Sequence, residues 1–141
     1  MRILGTAIGI LLLWAGTVLA FTDNGDGTVT DSRTGLVWQK QDDGTTKTWK
    51  NAITYCEGLT LGGQSDWRLP NVKELKTIVD NSKKFLAIDT TYFPNTQGSY
   101  WSSSSFASSS NFAWFVHFSN GYVNELQKTN TYYVRCVRGG Q

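Results

Sequence analysis

Among the residues able to carry covalent or acid–base chemistry, those that stand out by rarity or spacing are two cysteines (Cys56 and Cys136), one histidine (His117), and an adjacent carboxylate pair, Asp42-Asp43. An isolated, even pair of cysteines favours a disulfide in an oxidising compartment, against the competing readings of a catalytic thiol or a metal pair. The wide spacing of the two cysteines, with a single His in the chain, argues against a closed tetrahedral metal site. His117 has no acid or nucleophile beside it in sequence, and Asp42-Asp43 reads as a solvated loop. No grouping of nucleophile, base and orienting partner is visible. We therefore expect no catalytic residue, no metal and no cofactor, and read the chain as non-enzymatic.

A second set of residues suits contact instead of catalysis. Tyr and Trp supply rigid amphipathic area, and Ser and Asn supply adaptable hydrogen bonds. On that basis the candidate ligand-binding residues are Tyr100, Ser103, Phe106, Asn111, Phe115, His117, Tyr122, Asn124, Gln127, Lys128 and Asn130. For each, ordinary loop or core duty is the alternative. Trp101 and Trp114 are assigned to the core. Were the ligand an anionic polysaccharide, Lys83, Lys84 and Lys128 would be its cations. The chain holds 13 Lys+Arg against 11 Asp+Glu, a balance too even for a global field that gathers nucleic acid.

The elements that must position these residues begin with an export signal. Met1-Arg2 is a short positive start, Ile3 to Trp14 is almost unbroken apolar, and Val18-Leu19-Ala20 suits a signal peptidase. Residues 1–20 are thus expected to be a cleaved secretory signal, and 21–141 a single domain exported to the periplasm, cell surface or medium. The apolar run is short for a bilayer, so no stable membrane span is expected after cleavage.

Within the domain, Asn24-Gly25 and Asp26-Gly27 signal turns between short strands from Phe21 to Lys40. A calcium-loop reading of Asp23 to Gly27 fails at its third and twelfth positions, Gly25 and Thr34. Thr48 can cap a first helix with Trp49, Ala52, Ile53, Cys56 and Leu59 on one face. Asn71 and Glu74 form a capping-box pattern for a second, with Val72, Leu75, Ile78 and Val79 as its stripe and Asn81 as its stop. The Ser-rich stretch from Ser99 to Asn111 carries Trp and Phe, which argues for an ordered strand over a linker. Further strands are expected at Ala113–Ser119 and Tyr132–Arg138, with a turn at Asn120-Gly121. Alternation turns Trp114, Val116 and Phe118 inward and leaves Phe115 and His117 exposed. Strands, then helices, then strands spell an α+β fold with mostly antiparallel sheets.

Several local strings, taken in order, resemble a known family. They are Asn24 to Asp31, Thr34 to Trp38, Asp66-Trp67-Arg68-Leu69-Pro70, Tyr100 to Ser104, and Val134 to Arg138. Together they are similar to the bacterial domain family typified by the C-terminal domain of the Legionella collagen-like adhesin, over roughly Phe21 to Arg138. The resemblance implies a C-type-lectin-like fold: two helices packed on small sheets, a long loop region, and a disulfide from the first helix (Cys56) to the final strand (Cys136). It also implies Trp67 and Leu69 in the core, with Arg68 in an ion pair or bonded to backbone.

The function so implied is adhesion through an extracellular glycan, sulfated or otherwise anionic polysaccharide included, or through a protein surface. The adhesin resembles a trimeric surface protein, but this chain has no Gly-X-Y repeat, so homo-oligomerisation stays open. Calcium-dependent lectins use an acidic-Pro-Asn loop, whereas here Phe93-Pro94-Asn95 lacks the carboxylate, so calcium-dependent sugar binding is not expected. Two alternatives remain. The chain could be a subunit of an envelope assembly with exposed aromatics as its interface, or an oxidative enzyme related to formylglycine-generating folds.

Overall fold

Local turn chemistry sets the first strands. Asp23 Oδ1 accepts from the Gly25 amide at 3.0 Å and Asp26 Oδ1 from the Thr28 amide at 3.1 Å. The carboxylates thus close turns on their own backbone. The computed structural model describes residues 20–140, so the secretory-signal reading lies outside the described residues apart from Ala20. Strands β1 (Phe21–Asp23), β2 (Thr28–Asp31) and β3 (Leu36–Gln39) form an antiparallel meander. Strand β4 (Lys47–Thr48) leads into helix α1 (Trp49–Glu57), where the Thr48 side chain caps by accepting from the Asn51 amide.

Helix α2 (Val72–Lys76) carries the expected capping box: Asn71 accepts from the Glu74 amide, and Glu74 accepts from the Asn71 amide. The helix is shorter than its stripe predicts. It ends at Lys76, because Thr77 takes the C-cap and its hydroxyl donates to the Glu74 carbonyl at 2.6 Å. Ile78 is still buried, carried by the turn that follows. Arg68 takes the ion-pair role expected of it, donating to both Glu74 oxygens at 2.7 and 2.8 Å and to the Gly139 carbonyl. Burial pushes the Glu74 carboxyl up, but Arg68 and the Asn71 amide outweigh it and hold the group below its ordinary value. Asn71→Ala should cost about 1 kcal/mol, read as a shift in the urea midpoint at unchanged m-value.

The Ser-rich segment forms strand β5 (Ser99–Phe106) and the start of β6 (Ser109–His117), which pairs with β7 (Tyr122–Gln127). The expected single strand from Tyr132 to Arg138 is instead divided. Strand β8 (Thr131–Tyr132) pairs with β4, and β9 (Val137–Arg138) pairs with β3. The sheets are therefore β1-β2-β3-β9, β4-β8 and β5-β6-β7. Between β8 and β9 the chain crosses the interior, so Val134, Arg135, Cys136 and Val137 are all buried and strand alternation does not hold. Among the described residues, no helix is long and apolar enough to cross a membrane.

Two packed clusters make the core. One gathers Val29, Trp38, Leu75, Phe93, Tyr100, Val116 and Phe118; the other gathers Ala52, Trp67, Leu69, Trp101, Ala113 and Val134 around the disulfide. Cys56 and Cys136 are bridged, their Cα atoms 5.5 Å apart, tying α1 to the residue that precedes β9. Trp114 departs from expectation. It is half-buried, its ring packed edgewise on Phe106 at 5.2 Å, because its side of β6 is covered only toward Val116.

A polar group lies inside this core. Arg135 is fully buried, donating through Nη1 to the carbonyls of Gln39 (2.8 Å) and Lys40, and through Nη2 to Thr96 Oγ1 at 3.0 Å. The Asp42 carboxylate lies 3.8 Å away with no side-chain exposure. It accepts from the Tyr100 hydroxyl, from Asn95 Nδ2 at 2.9 Å and from the Gly44 amide at 2.8 Å. Asp42 is thus a buried counter-ion and not half of a solvated pair. Burial pushes the Tyr100 phenol far above its ordinary value, so it remains a neutral donor to that carboxylate.

Candidate functional site

The three-stranded sheet brings several of the expected contact residues onto one face. In the β6–β7 pairing Phe115 lies opposite Asn124 and His117 opposite Tyr122. In the β5–β6 pairing Ser99 lies opposite His117 and Trp101 opposite Phe115. Directly paired residues share a face, so these side chains form one patch. The register follows from the β6–β7 turn, where Gly121 takes φ +82° and Asn120 Oδ1 accepts from the Tyr122 amide at 3.0 Å.

Tyr132, delivered by β8, completes the patch. Its ring centroid lies 4.6 Å from that of Phe115 and 4.8 Å from that of Trp101, while Trp101 meets Phe115 edge-on at 6.4 Å. The buried Trp101 therefore supports two half-buried rings that reach the surface. Ser99, Phe115, His117, Tyr122, Asn124 and Tyr132 line an open depression of about 260 Å³. Ser99 Oγ and His117 Nδ1 are 2.7 Å apart. The serine thereby fixes the imidazole orientation and leaves Nε2 for a partner from outside. Burial pushes the Tyr132 phenol up, keeping it a neutral hydroxyl. Tyr122 stands 70% exposed at the rim. The arrangement offers ring faces, one imidazole nitrogen, an amide and hydroxyls. These groups can hold a ligand by stacking and hydrogen bonding.

The remaining candidates fall elsewhere. Tyr100 is no surface contact: it is fully buried, facing the first core cluster, with its hydroxyl committed to Asp42. Ser103 is half-buried, its amide donating to the Pro70 carbonyl at 2.7 Å. Phe106 packs on Trp114. Asn111, Gln127, Lys128 and Thr129 line a separate depression of about 240 Å³. Asn130 is exposed in the turn after β7, its amide donating to the Gln127 carbonyl at 3.2 Å.

Lys128 also borders a mostly apolar groove with Thr48, Trp49, Lys50 and Thr129. There its ammonium sits 3.9 Å over the Trp49 ring and donates to Ser105 Oγ at 2.8 Å. Lys83 and Lys84 are exposed in the loop that follows α2, whose two ends, at Asn81 and Ala87, lie against Gly121 of the β6–β7 turn. Lys128 lies past the far end of β7, a separation of roughly 20 Å along the strand. The three cations expected to share one anionic ligand thus belong to two regions.

Sequence reasoning missed Ser99 and Tyr132. Each faces the patch through a pairing with residues distant in the chain, and no local pattern announces that. Among the described residues, no cluster of three or more His, Cys, Asp or Glu is placed to hold a metal.

The architecture defines a class: an α+β domain with two helices, small antiparallel sheets and one disulfide, bearing an aromatic face on its three-stranded sheet. More particularly, the chain belongs to the Lcl C-terminal domain family, whose sequence profile matches residues 27–138. That span runs from the first turn to the end of β9 and includes every residue of the aromatic patch. No curated protein matches the chain.

Proposed function

We propose that this protein is an exported, non-catalytic, C-type-lectin-like recognition domain that binds an extracellular glycan on the β5–β6–β7 face. The observation that carries this reading is the pairing of Phe115, Tyr122 and Tyr132 with Ser99, His117 and Asn124 around one depression. Sugar rings present apolar C–H faces bordered by hydroxyls, and a ligand of that kind needs both ring faces and fixed polar groups. Membership of an adhesin-associated family supports an extracellular ligand. The disulfide supports an oxidising compartment.

A glycan array probed with the protein is the test. Binding of one glycan class should fall at least tenfold, about 1.4 kcal/mol, in Phe115→Ala and in Tyr122→Ala, at an unchanged melting temperature for Tyr122→Ala. Retained binding in Tyr122→Ala would remove the patch from the account. The exposed aromatics also fit a second reading, an interface within an envelope assembly. Under that reading no glycan binds and Tyr122→Ala changes the oligomeric state instead.

A further inference from the structure

The loop from Asp80 to Ala87 leaves the core and returns to it at one point. Its neck is closed by the Asp80 amide donating to the Ala87 carbonyl at 2.7 Å, and by the Ala87 amide donating to the Phe118 carbonyl at 2.6 Å. Leu86 is the one non-glycine residue with positive φ, 55°, among the described residues. That conformation is unfavourable for a side chain branched beyond Cβ and persists only where the surroundings impose it. Here it turns Leu86 inward against the first core cluster and leaves Phe85 outside, 81% exposed. Lys83 and Lys84, also exposed, immediately precede it. Such backbone outliers concentrate where a protein makes use of them.

We infer that this loop is a docking tip for an anionic lipid surface, with Phe85 entering the headgroup–acyl boundary and Lys83 and Lys84 meeting lipid phosphates. Three features favour a bilayer over a polysaccharide. Phe85 is 81% exposed and follows exposed residues, so the protein offers it almost no wall and only a medium that deforms around it covers it. Phe85 has no hydroxyl with which to engage sugar oxygens. The tip also lies at the end of the domain that presents Tyr122. Gly121 sits against Val79, Asn81 and Ala87 at the neck, so the two most exposed large apolar side chains lie toward one end.

Two acidic groups lie at the neck, Asp80 and Asp89, which line one depression with Arg33. Asp89 Oδ1 accepts from the Thr91 amide at 3.0 Å, and Asp80 is directed into the loop. Asp80 Oδ1 accepts from the Ser82 hydroxyl at 2.6 Å and the Ser82 amide at 3.0 Å. The Ser82 bonds, with Lys83 and Arg33 nearby, hold it below its ordinary value. An apolar side chain next to two lysines gives peripheral, salt-sensitive adsorption and no span.

Co-sedimentation of the full protein with vesicles tests this. Binding is expected to vesicles containing phosphatidylglycerol, to be weak on pure phosphatidylcholine, and to be lost in high salt. Phe85→Ala and the pair Lys83→Ala/Lys84→Ala should each lower the partition coefficient about tenfold. Phe85→Trp should retain binding, and all three should melt as the wild type does. Glycan binding on the sheet face should survive Phe85→Ala, so failure here is distinguishable from failure of the recognition reading. Absence of wild-type binding, or equal binding by Phe85→Ala, would overturn the proposal. So would binding to soluble heparin that falls with Phe85→Ala while vesicle binding does not, which would assign the loop to a polysaccharide.

Discussion

Replacing Arg135 with methionine is expected to destabilise the domain by about 3–5 kcal/mol, a large share of the stability of a domain this size. The side chain itself is roughly replaced in volume, so the cost is electrostatic. Without the guanidinium, the buried Asp42 carboxylate loses its counter-ion, and the carbonyls of Gln39 and Lys40 lose their donor. Arg135 also stacks over Phe93 and Tyr100, 5.1 and 5.5 Å from the ring centroids, so a shorter residue such as alanine would add a cavity. Desolvation draws the guanidinium below its ordinary value, yet an arginine in this setting stays charged. The double variant Asp42→Asn/Arg135→Met should recover part of the loss, because it removes both charges together. Urea unfolding of the two variants at equal m-value measures the difference. Equal destabilisation by the single and double variants would show that packing, and not charge, governs the site.

Reduction of the Cys56–Cys136 bridge should have the second large effect. The bridge spans 80 residues of sequence, and closing a loop of that length restricts the unfolded chain by about 4–5 kcal/mol in the chain-entropy model. The observed loss is expected at about 2–5 kcal/mol. Both sulfur-bearing residues are fully buried in the second core cluster, so the bridge also holds α1 against the β8–β9 segment. Unfolding followed with and without dithiothreitol, alongside the double variant Cys56→Ala/Cys136→Ala, checks it. Coincident curves for oxidised and reduced protein would contradict the role assigned to the bridge.

What could be read from the sequence was what short-range physics determines. Thr48 and Asn71 cap helices through bonds to residues three positions ahead, and that spacing is visible in the chain. Alternation puts Phe115 and His117 on one face and the Asn120-Gly121 turn is visible in the chain, but β7, which sets Tyr122 and Asn124 opposite them, is not among the expected strands. Asp42, Tyr100 and Arg135 were not identifiable. The bonds that bring them together, Asn95 and Tyr100 to Asp42 and Arg135 to Gln39, join residues 53 to 96 positions apart, and a carboxylate beside another carboxylate gives no local sign of being inside. Tyr132 was hidden for the same reason: the chain between β8 and β9 abandons the strand pattern to cross the core. The end of α2 at Lys76 was lost because an apolar stripe records burial, and Ile78 is buried without being helical.

The central claim is that the face lined by Phe115, His117, Tyr122, Asn124 and Tyr132 holds the glycan. Amide chemical-shift mapping with the strongest oligosaccharide from the array tests it most directly. The account predicts saturable shifts concentrated at Ser99, Phe115 to His117, Tyr122 to Asn124 and Tyr132, with little change at Trp49 and Lys128. Shifts centred on the Trp49–Lys128 groove, or none at saturating oligosaccharide, would contradict it.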